Sequence, residues 1–102
     1  MSDTAIRLGA AGELVLSGVL DYRSGPALRE AGRRLIEASP AAELVLDCGA
    51  VEKSSSVGLS LLLAYLRDAR KAGKRLSVRA MPQDMREIAK VSGLHDLLDL
   101  AA

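Results

Sequence analysis

Three serines, Ser54, Ser55 and Ser56, stand directly before the most apolar run of the chain, in the stretch VEKSSSVGLSLLLAYL from Val51 to Leu66. Hydroxyls in that position suit several kinds of chemistry. They can cap a helix, attack as a nucleophile, accept a phosphate, or edge a docking surface. Ser55 or Ser56 is placed to accept a hydrogen bond from a free N–H of the following helix, worth about 1 kcal/mol against alanine. A nucleophilic role needs a base. His95 is the only histidine, and a Ser56/His95/aspartate hydrolase has no nucleophile-elbow motif behind it. A phosphate on Ser56 would meet the positive end of the helix dipole. It would also set roughly two negative charges beside an apolar face. Asp21 and Tyr22, in GVLDYRSG, suit turn chemistry at the approach to a helix, with a binding role as the alternative.

Other site chemistries find no residues. There is no glycine-rich phosphate loop and no Cys/His cluster for zinc, so no cofactor and no metal is expected. Cys48 lies inside LVLDCGAV, the setting of a buried, inert thiol. As the only cysteine it cannot close an internal disulfide, which fits a reducing compartment. The net charge of +1 is spread without blocks of one sign, and only two residues are aromatic, both tyrosines. Neither long-range attraction to nucleic acid nor a base-stacking platform is expected. The run from Val57 to Leu66 is about half a membrane span. The N-terminal residues lack a basic segment followed by a continuous apolar one. The chain reads as cytoplasmic, without direct membrane insertion.

The elements that would position the serines follow from periodicity. The 102 residues suit one domain, 1–102. TAIRLGAAGELVLSGVL gives two strands about a turn at GAAG, with Leu14, Leu16 and Gly18 on one face. Ser24 and Pro26 open a helix whose inner stripe is predicted as Leu28, Ala31, Leu35 and Ala38. Glu43–Cys48 is a short apolar run, expected to be a central strand buried on both faces, followed by a loop, GAVEKSSS. A helix from about Val57 to Lys71 ends at Gly73; a strand with Leu76, Val78 and Ala80 on one side comes next. A helix from Pro82 to Gly93 places Met85, Ile88, Ala89 and Ser92 inward. The final LHDLLDLAA is open between helix and strand. Strands alternating with helices imply parallel pairing through crossovers.

The second helix carries two apolar stripes. At about 100° per residue, Leu59, Leu62, Leu63 and Leu66 form the face toward the sheet. Val57, Leu61 and Ala64 lie nearly opposite, with Tyr65 at the edge and Asp68 continuing the line. A neighbouring helix, the tail or a partner protein could cover this outer stripe. In so small a domain burial on both sides is hard to arrange, so a partner face is expected. Left bare, it would drive self-association of the isolated chain.

Taken together, LVLSGVLDYRSGPALRE and LVLDCGAVEKSSSVGLSLLLAYLRDARKAGKRLSVRAMPQDMREIAKVSGL resemble a STAS domain over nearly the whole chain. That family includes the bacterial anti-sigma factor antagonists and domains of sulfate transporters. The resemblance implies an α/β fold with a mixed four- to five-stranded sheet and helices mainly on one face. In the antagonists the loop commonly reads Asp-Ser-Ser-Gly-Leu, and a partner kinase phosphorylates its first serine. Alignment on Gly58 and Leu59 puts Ser56 at that phospho-acceptor position, Ser55 in place of the Asp and Val57 in place of the second Ser. GLSLLLAYLRDARKAGK and IAKVSGLHDLL look more like the STAS subunits of Mla-type phospholipid ABC transporters. That likeness implies a non-enzymatic accessory subunit that binds the transporter's ATPase and supports its assembly. Its partner-binding set would be Ser56, Val57, Ser60, Leu61, Ala64 and Tyr65. The antagonist branch, switched by phosphate on Ser56, is the alternative.

Overall fold

A computed structural model describes residues 4–93. The elements run β1 (Ala5–Leu8), β2 (Leu14–Leu20), α1 (Gly25–Ala38), β3 (Glu43–Ser54), α2 (Ser56–Lys71), β4 (Arg75–Arg79) and α3 (Gln83–Val91). Element types and order are those read from periodicity. The final LHDLLDLAA, including His95, lies outside the described residues.

The four strands form one mixed sheet in the order β1-β2-β3-β4. β1 and β2 make an antiparallel hairpin, while β2/β3 and β3/β4 are parallel. The crossovers step in one direction across the sheet, so right-handed connections bring α1 and α2 to the same face. There α2 packs against both α1 and α3. The strands alternate accordingly. Leu14, Leu16, Leu20, Leu44, Leu46, Cys48, Leu76 and Val78 point into the helical layer and are buried. Val15, Val19, Val45, Asp47, Ser77 and Arg79 are half-buried on the opposite face. β3 is central, as expected, but only one of its faces is fully buried. On the open face Arg79 donates to Asp47 from Nε at 3.2 Å and Nη2 at 3.0 Å, with Glu13 3.7 Å away. The Gly49 N–H, and then Arg79, hold the Asp47 carboxyl below the usual carboxylate range.

Four local expectations are corrected. GAVEKSSS is strand as far as Ser54, because β2 continues beside it: Gly18 pairs with Val51 and Leu20 with Ser54, across shifts in register. One shift sits at Gly18, whose φ of +90° favours glycine; the Thr4 side chain packs there and its Oγ1 accepts from the Val19 N–H at 3.0 Å. In α1 the buried stripe is Gly25, Leu28, Gly32 and Ile36, whereas Ala31 and Ala38 are exposed. The solvent side of α1 carries Glu30, Arg33, Arg34 and Glu37 as ion pairs three and four residues apart, each worth a few tenths of a kcal/mol. After β4, Ala80 leaves the alternation with a φ of +57° and is exposed. In α3, Met85 and Ala89 are buried and Ile88 is half-buried, but Ser92 is exposed.

Cys48 is fully buried beneath the helices. Burial first, and then the neighbouring Asp47 charge, push its thiol up to about 12. It is a packing residue without thiolate chemistry.

Candidate functional site

The three serines divide their work. Ser54 donates from Oγ to the Ser55 carbonyl at 2.8 Å and packs against the open side of Gly58, where a Cβ would lie 2.0 Å from that hydroxyl oxygen. Ser55 is the helix cap: its Oγ accepts from the Val57 N–H at 3.2 Å. Its own N–H donates to the Leu20 carbonyl at 3.0 Å, tying the start of α2 to the end of β2. Ser56, the first residue of α2, is exposed, and its hydroxyl has no hydrogen-bond partner among the described residues. It is the serine left for an external contact.

Beside it the β2–α1 loop is pinned by its own side chains. Asp21 Oδ1 accepts from the Arg23 and Ser24 N–H groups at 2.9 and 3.3 Å, which with the Arg23 guanidinium lowers its pKa. Ser24 does not cap α1; its hydroxyl donates to the Val19 carbonyl at 2.9 Å and accepts from the Asp21 N–H at 3.1 Å. Asp21 therefore does the turn chemistry expected of it. Tyr22 does not: its ring is 76% exposed, with the Arg23 guanidinium 5.7 Å from the centroid. An exposed aromatic of this kind at the strand-end rim is a candidate contact residue rather than a turn residue. Its loop and the α2 start both lie outside the carboxyl ends of parallel strands, where open α/β sheets present their sites.

Between the first turns of α1 and α2 lies a shallow groove of about 240 Å³, lined by Gly25, Pro26, Arg29, Val57, Ser60, Leu61 and Ala64. Ser60 is exposed, Val57 half-buried, and Leu61 and Ala64 are floor, each only 4% exposed. Tyr65 is fully buried, and its hydroxyl donates to the Leu28 carbonyl at 2.6 Å. The outer stripe is therefore not the bare face expected of it, because α1 lies over it. Glycines make this possible. A Cβ at Gly32 would sit 2.2 Å from the Tyr65 ring, and one at Gly25 would sit 3.1 Å from Val57. Leu59 and Leu62 are core as expected, whereas Leu63 and Leu66 are only partly buried.

Asp68 extends the groove inward. It is 5% exposed and takes both Nη groups of Arg29, with Nη2 at 3.1 Å from Oδ1. The pair leaves the groove wall close to neutral. Arg29→Ala strands a buried carboxylate and is expected to cost about 3 kcal/mol in urea denaturation. Adding Asp68→Ala should recover most of that loss. Equal stability of Arg29→Ala and wild type would show the pair to be dispensable. Among the described residues no His/Cys/Asp/Glu cluster could hold a metal, and no helix is long and apolar enough to cross a membrane.

Comparison with known proteins agrees with this geometry. The family model described as "Mlab, STAS domain" matches residues 5–99. No curated protein matches the chain. Among solved structures, a chain of the Acinetobacter MlaFEDB complex in an ATP-bound conformation is 25% identical, with TM-score 0.82, over 94% of this chain and 98% of that one. An anti-sigma factor antagonist from Mycobacterium paratuberculosis is 29% identical, with TM-score 0.76, over 98% and 85%. The Bacillus cell fate determinant SpoIIAA in its phosphorylated form is 19% identical, with TM-score 0.65, over 100% and 92%, a likeness of fold. A family match along almost the entire length, on a mixed sheet with its helices on one face and a serine at the start of α2, places the chain in the Mlab, STAS domain family.

Proposed function

We propose that this protein is a non-enzymatic, cytoplasmic accessory subunit that binds the ATPase of an ABC phospholipid transporter maintaining outer-membrane lipid asymmetry, and supports its assembly and activity. The observation that carries the reading is the α1/α2 groove. It is apolar, its one charged wall is neutralised by Asp68, and the free hydroxyl of Ser56 stands at the same helix start. Such a surface takes an apolar side chain of a partner and excludes a charged one. The likeness to a chain of the MlaFEDB complex supports the choice of partner.

The contact consists of Ser56, Val57 and Ser60, with Leu61 and Ala64 as the groove floor and Tyr22 as an aromatic anchor on the neighbouring loop. Tyr65 belongs to the fold beneath it. Ser60→Trp tests the assignment, because the side chain is exposed and an indole there occupies the groove. Co-purification of the tagged chain with the ATPase should fall by at least about tenfold, one pocket contact's worth, while the melting temperature stays in place. Undiminished co-purification of the tryptophan variant would remove the groove from the interface.

A second reading, an anti-sigma factor antagonist switched by phosphate on Ser56, draws on the same unpartnered hydroxyl and on the 29% identity to a mycobacterial antagonist. Phosphate on Ser56 in protein isolated from cells, with capture of a serine kinase in place of an ATPase, would favour it.

A further inference from the structure

The flank of α2 turned away from α1 carries a second groove, of about 250 Å³, lined by Leu63, Leu66, Arg67 and Arg70. At about 100° per residue it lies roughly 150° around the helix from Leu61, Ala64 and Asp68. Its floor is two half-buried leucines that the core does not finish covering. Its rim is two arginines, both exposed, neither with a partner among the described residues. The rest of the helix sharpens the asymmetry. Asp68 is the only acidic residue of α2 and is already committed to Arg29, so Arg67, Arg70 and Lys71 have no paired carboxylate among the described residues. Basic residues in a last helical turn complement the helix dipole. That accounts for Arg70 and Lys71, but not for Arg67 or for apolar surface left open between guanidiniums.

We infer that this groove docks an acidic amphipathic segment of a partner protein, whose aliphatic side chains cover Leu63 and Leu66 while its carboxylates pair with Arg67 and Arg70. A helix offering leucines on one face and glutamates beside them matches both features, and the guanidinium fork favours carboxylates. The other macromolecular occupants fit worse. Polybasic attraction to an anionic bilayer takes clusters of about four to eight cations, and α2 offers three. Nucleic acid would need an aromatic platform, and of the two tyrosines one is buried and the other stands on the β2–α1 loop. The site is separate from the Ser56 groove and stands or falls independently of the function proposed for it.

The test uses the full ¹⁵N-labelled chain and a synthetic helical peptide with leucines at i and i+4 flanked by glutamates. Titration should shift backbone resonances around Leu63, Leu66, Arg67 and Arg70, and raising the salt should weaken binding. Arg67→Gln with Arg70→Gln should lower affinity about tenfold, the sum of two exposed charge pairs, with the melting temperature unchanged. A peptide with lysines in place of the glutamates should not bind. Equal affinity for the double variant, shifts centred elsewhere on the domain, or tighter binding to phosphatidylglycerol vesicles than to the peptide would each overturn the inference.

Discussion

Gly32→Ala is expected to lower the melting temperature by roughly 10 °C, although alanine is the better helix former. In an exposed helix the exchange would stabilise by up to about 1 kcal/mol. Here the new methyl would lie 2.2 Å from Tyr65 Cε1 and 2.5 Å from Cζ. The ring cannot retreat easily, because it is fully buried and its hydroxyl is held by the Leu28 carbonyl. Overpacking of this kind costs about 1–3 kcal/mol, and each kcal/mol moves the midpoint of a domain this size by about 4–8 °C. Tyr65→Phe alone removes only the hydrogen bond, about 1 kcal/mol. In the Gly32→Ala background, Tyr65→Leu should be milder than in wild type, since it removes the ring that the methyl strikes. A double-mutant cycle by urea denaturation measures that coupling. A Gly32→Ala chain that melts with wild type would mean that α1 does not sit on Tyr65 through this glycine.

The same contact shows where sequence reasoning reached its limit. Element order, the antiparallel hairpin and the parallel crossovers were legible, because Leu14, Leu16, Leu44, Leu46, Leu76 and Val78 keep a period of two and α2 keeps its helical period. The second buried face of α2 was not. Val57, Leu61, Ala64 and Tyr65 look like surplus apolar surface until α1 is brought close enough to cover them. The signal for that approach was present as Gly25 and Gly32, seven residues apart on one face of α1. It was obscured by a stripe drawn through the apolar Ala31 and Ala38, which are exposed. Glycines in a helix register as weak helix formers; only the bulky ring opposite reveals them as a seat. The extension of β3 to Ser54 was hidden for a related reason. Small and charged residues look like loop, yet a parallel neighbour supplies their backbone hydrogen bonds. At the site the sequence marked Ser56 as a surface position, which it is, whereas for Tyr22, a lone aromatic in a turn with no periodic pattern, it favoured turn chemistry over binding, and the ring is exposed.

Ser56→Glu separates folding from binding at the proposed interface, because physics pushes the two in opposite directions. Ser55, not Ser56, supplies the cap, and the Ser56 hydroxyl bonds nothing among the described residues, so its loss leaves no orphaned group. α2 has no acidic residue in its first turn. A glutamate there meets the positive end of the helix dipole and should add about 0.3–1 kcal/mol to stability at low salt. The effect on partner binding is the reverse. A carboxylate beside an apolar groove whose lining arginine, Arg29, is already paired with Asp68 must be desolvated when a partner covers it. Affinity for the ATPase should fall by roughly thirtyfold or more, about 2 kcal/mol. Ser56→Thr keeps the hydroxyl and adds one methyl, so it should bind within a few-fold of wild type. Thermal melting alongside titration calorimetry reads both quantities on the same protein. A glutamate variant that binds the ATPase as well as wild type would place Ser56 outside the contact. One that loses binding together with stability would reduce the defect to folding. Tyr65→Asp cannot make this distinction, because a charge at that fully buried position should unfold the chain before it bears on any partner.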